Sequence, residues 1–432
     1  MADGRTATAA GMSKAPTLAQ AEIIAIGSEL LGATRLDTNS LFLTRELNAL
    51  GIEVVRKAVL PDDAVALADA IRGSCRRVGL VLCCGGLGPT EDDRTREAAA
   101  AALGVGLRRD PQAEQTLRAY FERRQRAMAA INRRQCDRLA GAEWLANTVG
   151  SAPGQWCPTE GGWLALLPGP PPELQAMFQS ALRPRLLPLA PARKSFTRVL
   201  SIAGMSESDV DTIAAPFYRA VANPATTILA TAELQVELHF QAWAASAEAA
   251  QEMADGLAHQ IEPALGDAVF SRDQAPLATV VGEALRLRNQ SLALAESCTA
   301  GMVAETLTRA PGASDFFLGG VVCYSDQVKR DLLGVADETL TAHGAVSAAC
   351  ACELARGARQ RCAADWAIAV TGIAGPGGGT PTKPVGTVFI ALAGPDGKVM
   401  AVQHQLAGDR DRIRRWSTHL ALNQLRLRLL LN

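Results

Sequence analysis

The sequence has no long hydrophobic run and no excess of one charge. Unbroken apolar stretches such as Leu80–Cys84 are far shorter than the roughly 20 residues of a membrane-spanning helix. Among 432 residues, 43 basic side chains face 44 acidic ones, so a protein that coats nucleic acid is not expected. With 48% apolar residues, disorder is also excluded. The sequence therefore predicts a soluble protein with no membrane or nucleic-acid partner.

Cysteine pairs spaced for metal or redox chemistry are also missing. None of the ten cysteines forms a C-x-x-C pair, and Cys350 and Cys352 have no histidine pair beside them to complete a zinc site. Residues 1–20 lack the apolar core of a signal peptide. We therefore expect a mobile tail over 1–20 and a protein of the reducing cytoplasm.

Short apolar runs alternate with helix-like stretches in two parts of the chain. This alternation is typical of βαβ units on a mostly parallel sheet. Between the two parts, strand-like runs and an Ala-rich helix favour a smaller module. Pro168–Pro172 break the alternating pattern, and the prolines at 184, 188 and 191 favour a boundary. We predict an α/β fold in which two α/β domains with mostly parallel or mixed sheets, at 21–190 and 273–432, are joined by a small α+β module at 191–272.

A glycine-rich turn, Gly85–Thr95, follows the buried run Leu80–Cys84. Its glycines allow a ligand to approach the backbone closely, and the helix start offers N–H groups to an anion. Acidic residues beside a phosphate would repel it unless a divalent cation intervened, although Asp92 or Asp93 as a simple helix cap is the alternative. The predicted phosphate contacts are Gly86, Gly88 and Thr90.

Two more acidic residues, Glu29 and Asp37, follow the first predicted strand. In a parallel sheet their loops lie at the carboxyl ends of strands, where ligands bind. With Asn147, Glu173 and similar positions, these loops resemble the molybdopterin-binding-like domain of the CinA family (competence/damage-inducible protein A). The resemblance implies hydrolysis of ADP-ribose with a divalent metal such as Mg, Co or Mn. It also implies the metal and phosphate residues Glu29, Asp37, Asp92 and Asp93.

A second turn, Glu296–Gly301, runs from a buried strand into a helix. A side chain there lies at the positive end of a helix dipole, which activates a nucleophile. Ser297 and Cys298 are both candidates, and a helix cap is the alternative role for Ser297. The five histidines have no motif-like neighbours, so a Ser–His–Asp triad is not supported.

A buried strand is predicted at 320–324 and a helix at 326–333. Lys329, in this helix, is a candidate general base, since a lysine shielded from water loses its proton more readily. Tyr324 precedes it and can hydrogen-bond or stack on a ring. Consecutive glycines can expose N–H groups to a phosphate, and Thr371, Lys383 and Arg410 lie close to such a loop in sequence. The glycines concerned are Gly375, Gly377, Gly378 and Gly379.

This half resembles the nicotinamide mononucleotide deamidase domain of the same family. The resemblance implies Ser297 as nucleophile, Lys329 as its base, and no cofactor for the deamidase. Ala300 replaces the usual glycine of the family, and the choice between Arg410 and Arg412 stays open. Binding or positioning residues implied are Tyr324, Thr371, Thr299, Lys383, Arg410 and the loop glycines.

The resemblance covers 21–432 and implies a bifunctional enzyme of pyridine-nucleotide salvage, expected as a homodimer. Its expected small-molecule partners are nicotinamide mononucleotide and ADP-ribose. The alternative is a non-catalytic protein that binds a pterin or nucleotide and is associated with DNA competence or the damage response.

Overall fold

The computed structural model describes residues 18–231 and 234–431. The chain divides into two compact units, one containing residues up to 195 together with 243–250, the other containing 196–242 and 251 onwards. Most of the middle region thus belongs to the same unit as the C-terminal region. In the described ranges, no helix is both long and apolar enough to span a membrane.

The first unit is built on a mixed sheet with helices on both faces. Its strands are β1 (Gln20–Ile26), β2 (Glu53–Leu60), β3 (Leu80–Cys84), β4 (Leu107–Arg109), β5 (Asp137–Leu139), β6 (Glu143–Leu145), β7 (Gly154–Thr159) and β8 (Gly162–Leu167). Its helices are α1 (Thr38–Ala49), α2 (Ala64–Arg77), α3 (Thr95–Leu103), α4 (Pro111–Arg123), α5 (Pro171–Met177) and α6 (Arg183–Leu186). The main sheet has the order β2-β1-β3-β8-β7-β6, parallel from β2 to β8 and antiparallel from β8 to β6.

Both faces of this sheet are buried. Ile23 packs in a core with residues of α1 and α5, whereas its neighbour Ile24 packs in another core with residues of α2 and α3. Parallel strands covered on both faces require such continuous apolar runs. In the hairpin of β7 and β8, Trp156 and Trp163 stack with ring centroids 4.6 Å apart.

The structure differs from the sequence expectations at the start of this unit. Residues 1–17 of the expected tail lie outside the described residues, but Leu18 is buried and its N–H donates to the Leu189 carbonyl at 2.8 Å. Residues 18–20 therefore belong to the fold. The prolines after β8 continue the fold as well, because Pro171 opens α5, where the missing N–H is tolerated.

The rest of the chain forms two further sheets. Their strands are β9 (Lys194–Ile202), β10 (Ala225–Ala230), β11 (Val236–Ala244), β12 (Val269–Ser271), β13 (Leu292–Glu296), β14 (Phe317–Val322), β15 (Trp366–Gly372), β16 (Thr387–Ala393) and β17 (Val399–Gln405). The helices are α7 (Glu207–Tyr218), α8 (Ala247–Leu265), α9 (Leu277–Leu287), α10 (Met302–Thr308), α11 (Asp326–Leu333), α12 (Asp337–His343), α13 (Ala348–Arg361) and α14 (Arg410–Leu430). The prediction of an α/β fold is confirmed.

The C-terminal sheet has the order β14-β13-β15-β16-β17. It is parallel from β14 to β15 and antiparallel from β15 to β17. Helices α9, α10 and α14 contribute to the core on one face, and α11 and α13 to the core on the other. Ala203 and Phe270 of the middle module belong to the first of these cores, so this module and α14 pack together.

Candidate active site

Ser297 lies on the turn directly after β13. Its backbone N–H donates to the carbonyl of Val370 on the neighbouring strand β15 at 2.9 Å. Its own carbonyl accepts the N–H of Ala300 at 3.2 Å, which closes the turn. These bonds hold Ser297 at the carboxyl end of two parallel strands, where ligands bind in such sheets.

Glu296, the last residue of β13, caps helix α10. Its buried carboxylate accepts the N–H groups of Gly301, Val303 and Ala304 at 2.9, 3.1 and 2.9 Å. These are the donors that a helix N-cap normally satisfies. Ser297 is therefore free of the capping role that was its alternative.

Cys298, the second candidate nucleophile, packs in the hydrophobic core. Burial raises the pKa of its thiol to about 12. Since the thiolate is the reactive form of cysteine, this side chain is inert near neutral pH. The geometry favours Ser297 of the two.

Lys329, on α11, is almost completely buried. Its Nζ donates to the carbonyl of Tyr324 at 3.0 Å and lies 3.4 Å from Oδ1 of Asp326. The N–H of the residue before Tyr324 donates to the carbonyl of Glu296 at 2.8 Å. The buried amine is thus held on the chain segment that runs beside the Ser297 turn.

Arg410, at the start of α14, joins two of the predicted elements. Its Nη1 donates to the carbonyl of Gly375 at 2.8 Å, and its Nη2 donates to the hydroxyl of Tyr324 at 3.0 Å. Arg412 has a different environment, because its side chain packs over Gly408 and lines a separate cavity. The structure therefore places Arg410, and not Arg412, beside Tyr324 and the glycine-rich loop.

Arg414 was missed by the sequence analysis. Its Nη2 donates to the carbonyl of Thr299 at 2.8 Å. Thr299 is completely buried, and its hydroxyl has no hydrogen-bond partner in the described part of the chain. The available signal was spacing, since residues four apart on a helix share a face and Arg414 follows Arg410 by four. Both guanidinium groups brace loops of the candidate site.

The glycine-rich loop after β15 presents free backbone donors. Within the described residues, the N–H groups of Gly377, Gly378 and Gly379 have no hydrogen-bond partner. These residues are exposed, and Gly378 has a φ of 84°, in the left-handed region. Consecutive N–H groups of this kind suit a phosphate or an oxyanion.

Thr371 and Lys383 are both tied to the segment between α12 and α13. The hydroxyl of Thr371 donates to the carbonyl of Ala345 at 2.8 Å, and Nζ of Lys383 donates to the carbonyl of His343 at 2.7 Å. Thr371 is fully buried. A hydroxyl has two acceptor lone pairs and an ammonium three donors, so each side chain keeps some capacity for a ligand.

The loop after β3 is satisfied by its own side chains. The carboxylate of Asp93 accepts the N–H groups of Gly88 and Thr90 at 2.7 and 2.9 Å. Arg96 is buried and donates to two loop carbonyls at 2.8 Å each. Gly86 has a φ of 65°, in the left-handed region, so a glycine at this position suits the backbone conformation of the turn. Of the three predicted phosphate contacts, Gly88 and Thr90 thus already bind an internal anion through their N–H groups.

The other acidic residues predicted in this half lie on separate segments. Asp37 caps α1, where its carboxylate accepts the N–H of Ser40 at 2.9 Å. Burial raises the pKa of the Cys84 thiol, and the charge of Asp37 adds to this effect, which places Asp37 near the end of β3. Glu29 and Asp92 are exposed.

These carboxylates do not form a ready metal cage. In residues 18–231 and 234–431, no group of three or more His, Cys, Asp or Glu side chains is placed to hold a metal ion. Both oxygens of Asp93 are used by its own loop. Mg²⁺ is often held by one or two carboxylates together with substrate phosphates, so a divalent metal in this half stays a prediction.

Asn39 was not among the predicted site residues, although it follows Asp37 closely. Its Nδ2 donates to the carbonyl of Gly169 at 2.7 Å, which joins the loops after β1 and β8. Its Oδ1 is buried and has no partner among the described atoms. Buried acceptors are normally satisfied, so this atom fits a donor from a bound molecule.

Three family descriptions match consecutive parts of the chain. They are the "Probable molybdopterin binding domain" at 22–188, the "Damage-inducible protein CinA KH domain" at 197–271 and the "CinA C-terminal domain" at 274–429. A CinA-like protein of Solibacter usitatus is 46% identical over 409 residues, which cover 95% of this chain and 98% of that protein. The chain belongs to the CinA family. The resemblance predicted from the sequence is thereby confirmed.

A second full-length relative agrees with this assignment, and a solved structure is similar to one part of the chain. A CinA-like protein of Koribacter versatilis is 45% identical over 414 residues, covering 95% of this chain and all of that protein. The crystal structure of the competence/damage inducible protein CihA from Agrobacterium tumefaciens is 41% identical. It covers 36% of this chain and 93% of its own, with a TM-score of 0.35.

Proposed function

We propose that the C-terminal half of this CinA-family chain hydrolyses the carboxamide of nicotinamide mononucleotide. The observation that carries the proposal is the buried amine of Lys329, held 3.0 Å from the carbonyl of Tyr324 beside the turn of Ser297. A serine hydroxyl needs a neighbouring base to become a nucleophile. Because Glu296 caps α10, the Ser297 hydroxyl is available for that role.

The proposed reaction has two steps. The Ser297 hydroxyl attacks the carboxamide carbon while the amine of Lys329 accepts its proton. Lys329 passes this proton to the leaving nitrogen, so that ammonia departs and an ester remains on Ser297. Water then hydrolyses the ester to nicotinic acid mononucleotide and restores the hydroxyl.

The phosphate of the substrate suits the free N–H groups of Gly377, Gly378 and Gly379. Arg410 adds a positive charge beside them, since it already contacts the carbonyl of Gly375. Tyr324 is 59% exposed, and its ring can stack on the pyridine ring. The site thus has separate features for each part of the mononucleotide.

The decisive experiment measures ammonia release from nicotinamide mononucleotide by the full-length chain. Ser297→Ala is expected to lower the rate by at least about 10³-fold, as for other nucleophile deletions. Lys329→Met should do the same, with the exposed Lys398→Met as its control. Cys298→Ser should leave the rate nearly unchanged. Full activity in Ser297→Ala, or its loss only in Cys298→Ser, would contradict the proposal.

For the first unit we propose hydrolysis of ADP-ribose by water to AMP and ribose phosphate. Two observations support a ligand site here: the loops after β1 and β8 are joined through Asn39, and its Oδ1 is a buried acceptor without a partner in the described chain. A phosphate that used the N–H groups of Gly88 and Thr90 would have to displace Asp93.

This second activity is tested by measuring AMP from ADP-ribose with Mg²⁺, Co²⁺ or Mn²⁺, and with EDTA. Asn39→Ala is expected to slow AMP formation and to leave ammonia release unchanged. Ser297→Ala should show the reverse pattern. Binding of ADP-ribose without AMP under any of these conditions would favour the non-catalytic, nucleotide-binding alternative.

A further inference from the structure

A cavity outside the candidate active site opens between the middle module and α14. Its volume of about 590 Å³ falls in the range of small-molecule sites, about 300–1,000 Å³. Its two walls belong to one packed unit, because Ala203 and Phe270 of the module share a core with Ile413 and Leu422 of α14. The cavity is therefore a feature of the folded chain.

Arg412 and Trp416 are two of the α14 residues that line this cavity. Residues four apart lie on one helix face, and residues two apart lie on nearly opposite faces. Arg412 and Trp416 thus share a face that is turned away from Arg410 and Arg414. One helix presents one pair to the candidate active site and the other pair to the cavity.

Several polar groups on the cavity walls are left unpaired. Within the described residues, the guanidinium of Arg412 has no hydrogen-bond or ion-pair partner. The hydroxyl of Thr231, on the opposite wall, is buried without a partner. By contrast, Asp411 is paired with Arg415 at 2.6 Å. The groups on the walls that can meet a ligand are the cation of Arg412, the hydroxyl of Thr231 and the ring of Trp416, which has an edge contact with His419 on its own helix.

Besides Asp411, two further carboxylates lie on the same walls. Asp409 caps α14, and its Oδ1 accepts the backbone N–H of Arg412 at 2.8 Å. Glu207, in the first turn of α7, is exposed toward the cavity. A carboxylate of this kind accepts hydrogen bonds from the hydroxyl groups of a ribose.

The middle module lacks the element by which KH domains hold nucleic acid. A KH domain clamps the nucleic-acid backbone with a G-x-x-G loop. Within 197–271 the glycines are Gly204, Gly256 and Gly266, so this spacing does not occur. The module instead has the order β-α-β-β-α-β. The G-x-x-G clamp is therefore not available to this module.

We propose that this cavity binds a nucleoside monophosphate and that its occupation alters the deamidase site. The indole of Trp416 stacks on the base, which contributes about 1–3 kcal/mol in other proteins. Arg412 pairs with the phosphate, and Glu207 and Thr231 contact the ribose. Because the two functional pairs share the first turns of α14, a ligand on one face shifts the guanidinium groups on the other.

The binding step is tested by photolabelling the full-length chain with 8-azido-AMP and mapping the labelled peptides. Label is expected on peptides that contain residues 205–207, 230–236 or 409–416, and excess AMP should prevent it. Trp416→Ala and Arg412→Gln should each lower this label at least tenfold. The control is Arg330→Gln, which removes an exposed arginine that is paired with Asp337 on the surface. Label confined to other peptides, or unaffected by both variants, would overturn the site.

The coupling step is tested by measuring ammonia release with and without AMP. AMP is expected to change kcat/KM at least twofold in the unaltered chain and to have no effect in Arg412→Gln. An unaltered chain that is insensitive to AMP would overturn the coupling. Absence of ammonia release would remove the proposed deamidase function but not the cavity site, because the labelling requires no turnover.

Discussion

Two glycine-rich loops of this chain follow buried strands in the same way but differ in what their backbone donors bind. After β3, the N–H groups of Gly88 and Thr90 are held by the carboxylate of Asp93. After β15, in the described structure, the N–H groups of Gly377–Gly379 are free, and no acidic residue occurs between positions 372 and 383. A nearby carboxylate, rather than glycine content, decides whether such a loop is open to an anion.

The largest effect is expected for Arg410, which joins α14 to the glycine-rich loop after β15, the loop that is open to an anion. Arg410→Ala removes the bonds to the carbonyl of Gly375 and the hydroxyl of Tyr324, together with a charge beside the substrate phosphate. We expect kcat/KM for nicotinamide mononucleotide to fall about 10²–10³-fold. Arg330→Ala, which removes an ion pair on the surface, serves as the control. An unchanged KM and kcat would show that the open loop needs no cation.

Acid should destabilise α14 without altering the glycine-rich loop after β15. Burial, with the charge of Arg426, lowers the pKa of His419 from 6.5 to about 4. Between these two pH values the unfolded chain binds a proton that the folded chain does not, so stability is lost as the pH falls from 6.5 to about 4. The loss should be about 3 kcal/mol.

Hydrogen exchange of the α14 peptides across this pH range measures that loss. His419→Leu should make the protection factors of the α14 amides, that is, their exchange relative to the intrinsic rate at each pH, much less dependent on pH. The leucine fits because Nε2 of His419 is buried without a partner in the described residues. Equal pH dependence in both proteins would assign the acid sensitivity to other groups.

The loop after β3 should become less stable, and its N–H groups should become available to an anion, when the carboxylate of Asp93 is removed. Asp93→Ala leaves the N–H groups of Gly88 and Thr90 without an acceptor, and we expect the unfolding free energy to fall by about 1–3 kcal/mol. Glu91→Gln, which changes only an exposed carboxylate paired with arginines, should have little effect. Inorganic phosphate should then stabilise Asp93→Ala more than the unaltered chain. Equal stabilisation of both would mean that the loop does not bind anions.

The smallest effect concerns the turn that carries Ser297. Ala300 has a φ of 50°, a conformation that costs a non-glycine residue about 1–2 kcal/mol. Ala300→Gly relieves this strain but gives the unfolded chain more freedom. We therefore expect the free energy of unfolding, measured by thermal unfolding, to rise by about 0.5–1 kcal/mol. Ala363, with a φ of 51°, offers the same change away from the site. Destabilisation of both variants would contradict the explanation.

Much of the fold could be predicted because apolar periodicity is local. Helix α11 lies at Asp326–Leu333, as predicted. Strand β14 lies at Phe317–Val322, earlier than the predicted 320–324, because Gly319 and Gly320 obscure the pattern in its middle. The hairpin of β7 and β8 was not predicted, since its pairing is a tertiary contact and Pro158 weakens the strand pattern.

The candidate site was predicted in part. Motif positions named Tyr324, Lys329 and Arg410, and the structure brings these three together through hydrogen bonds. The parts played by Glu296 and Asp93 could not be predicted, because a carboxylate that binds backbone N–H groups depends on turn geometry. Sequence shows the residue types, whereas only the fold shows which donors they occupy.

The stacked pair of Trp156 and Trp163 gives the first unit an optical signature of its own. Two indoles with centroids 4.6 Å apart and planes 9° apart are close enough for their excited states to interact. Their contribution to circular dichroism should vanish when the strands of this hairpin separate. Melting of the first unit could thus be followed in the intact protein without any attached dye.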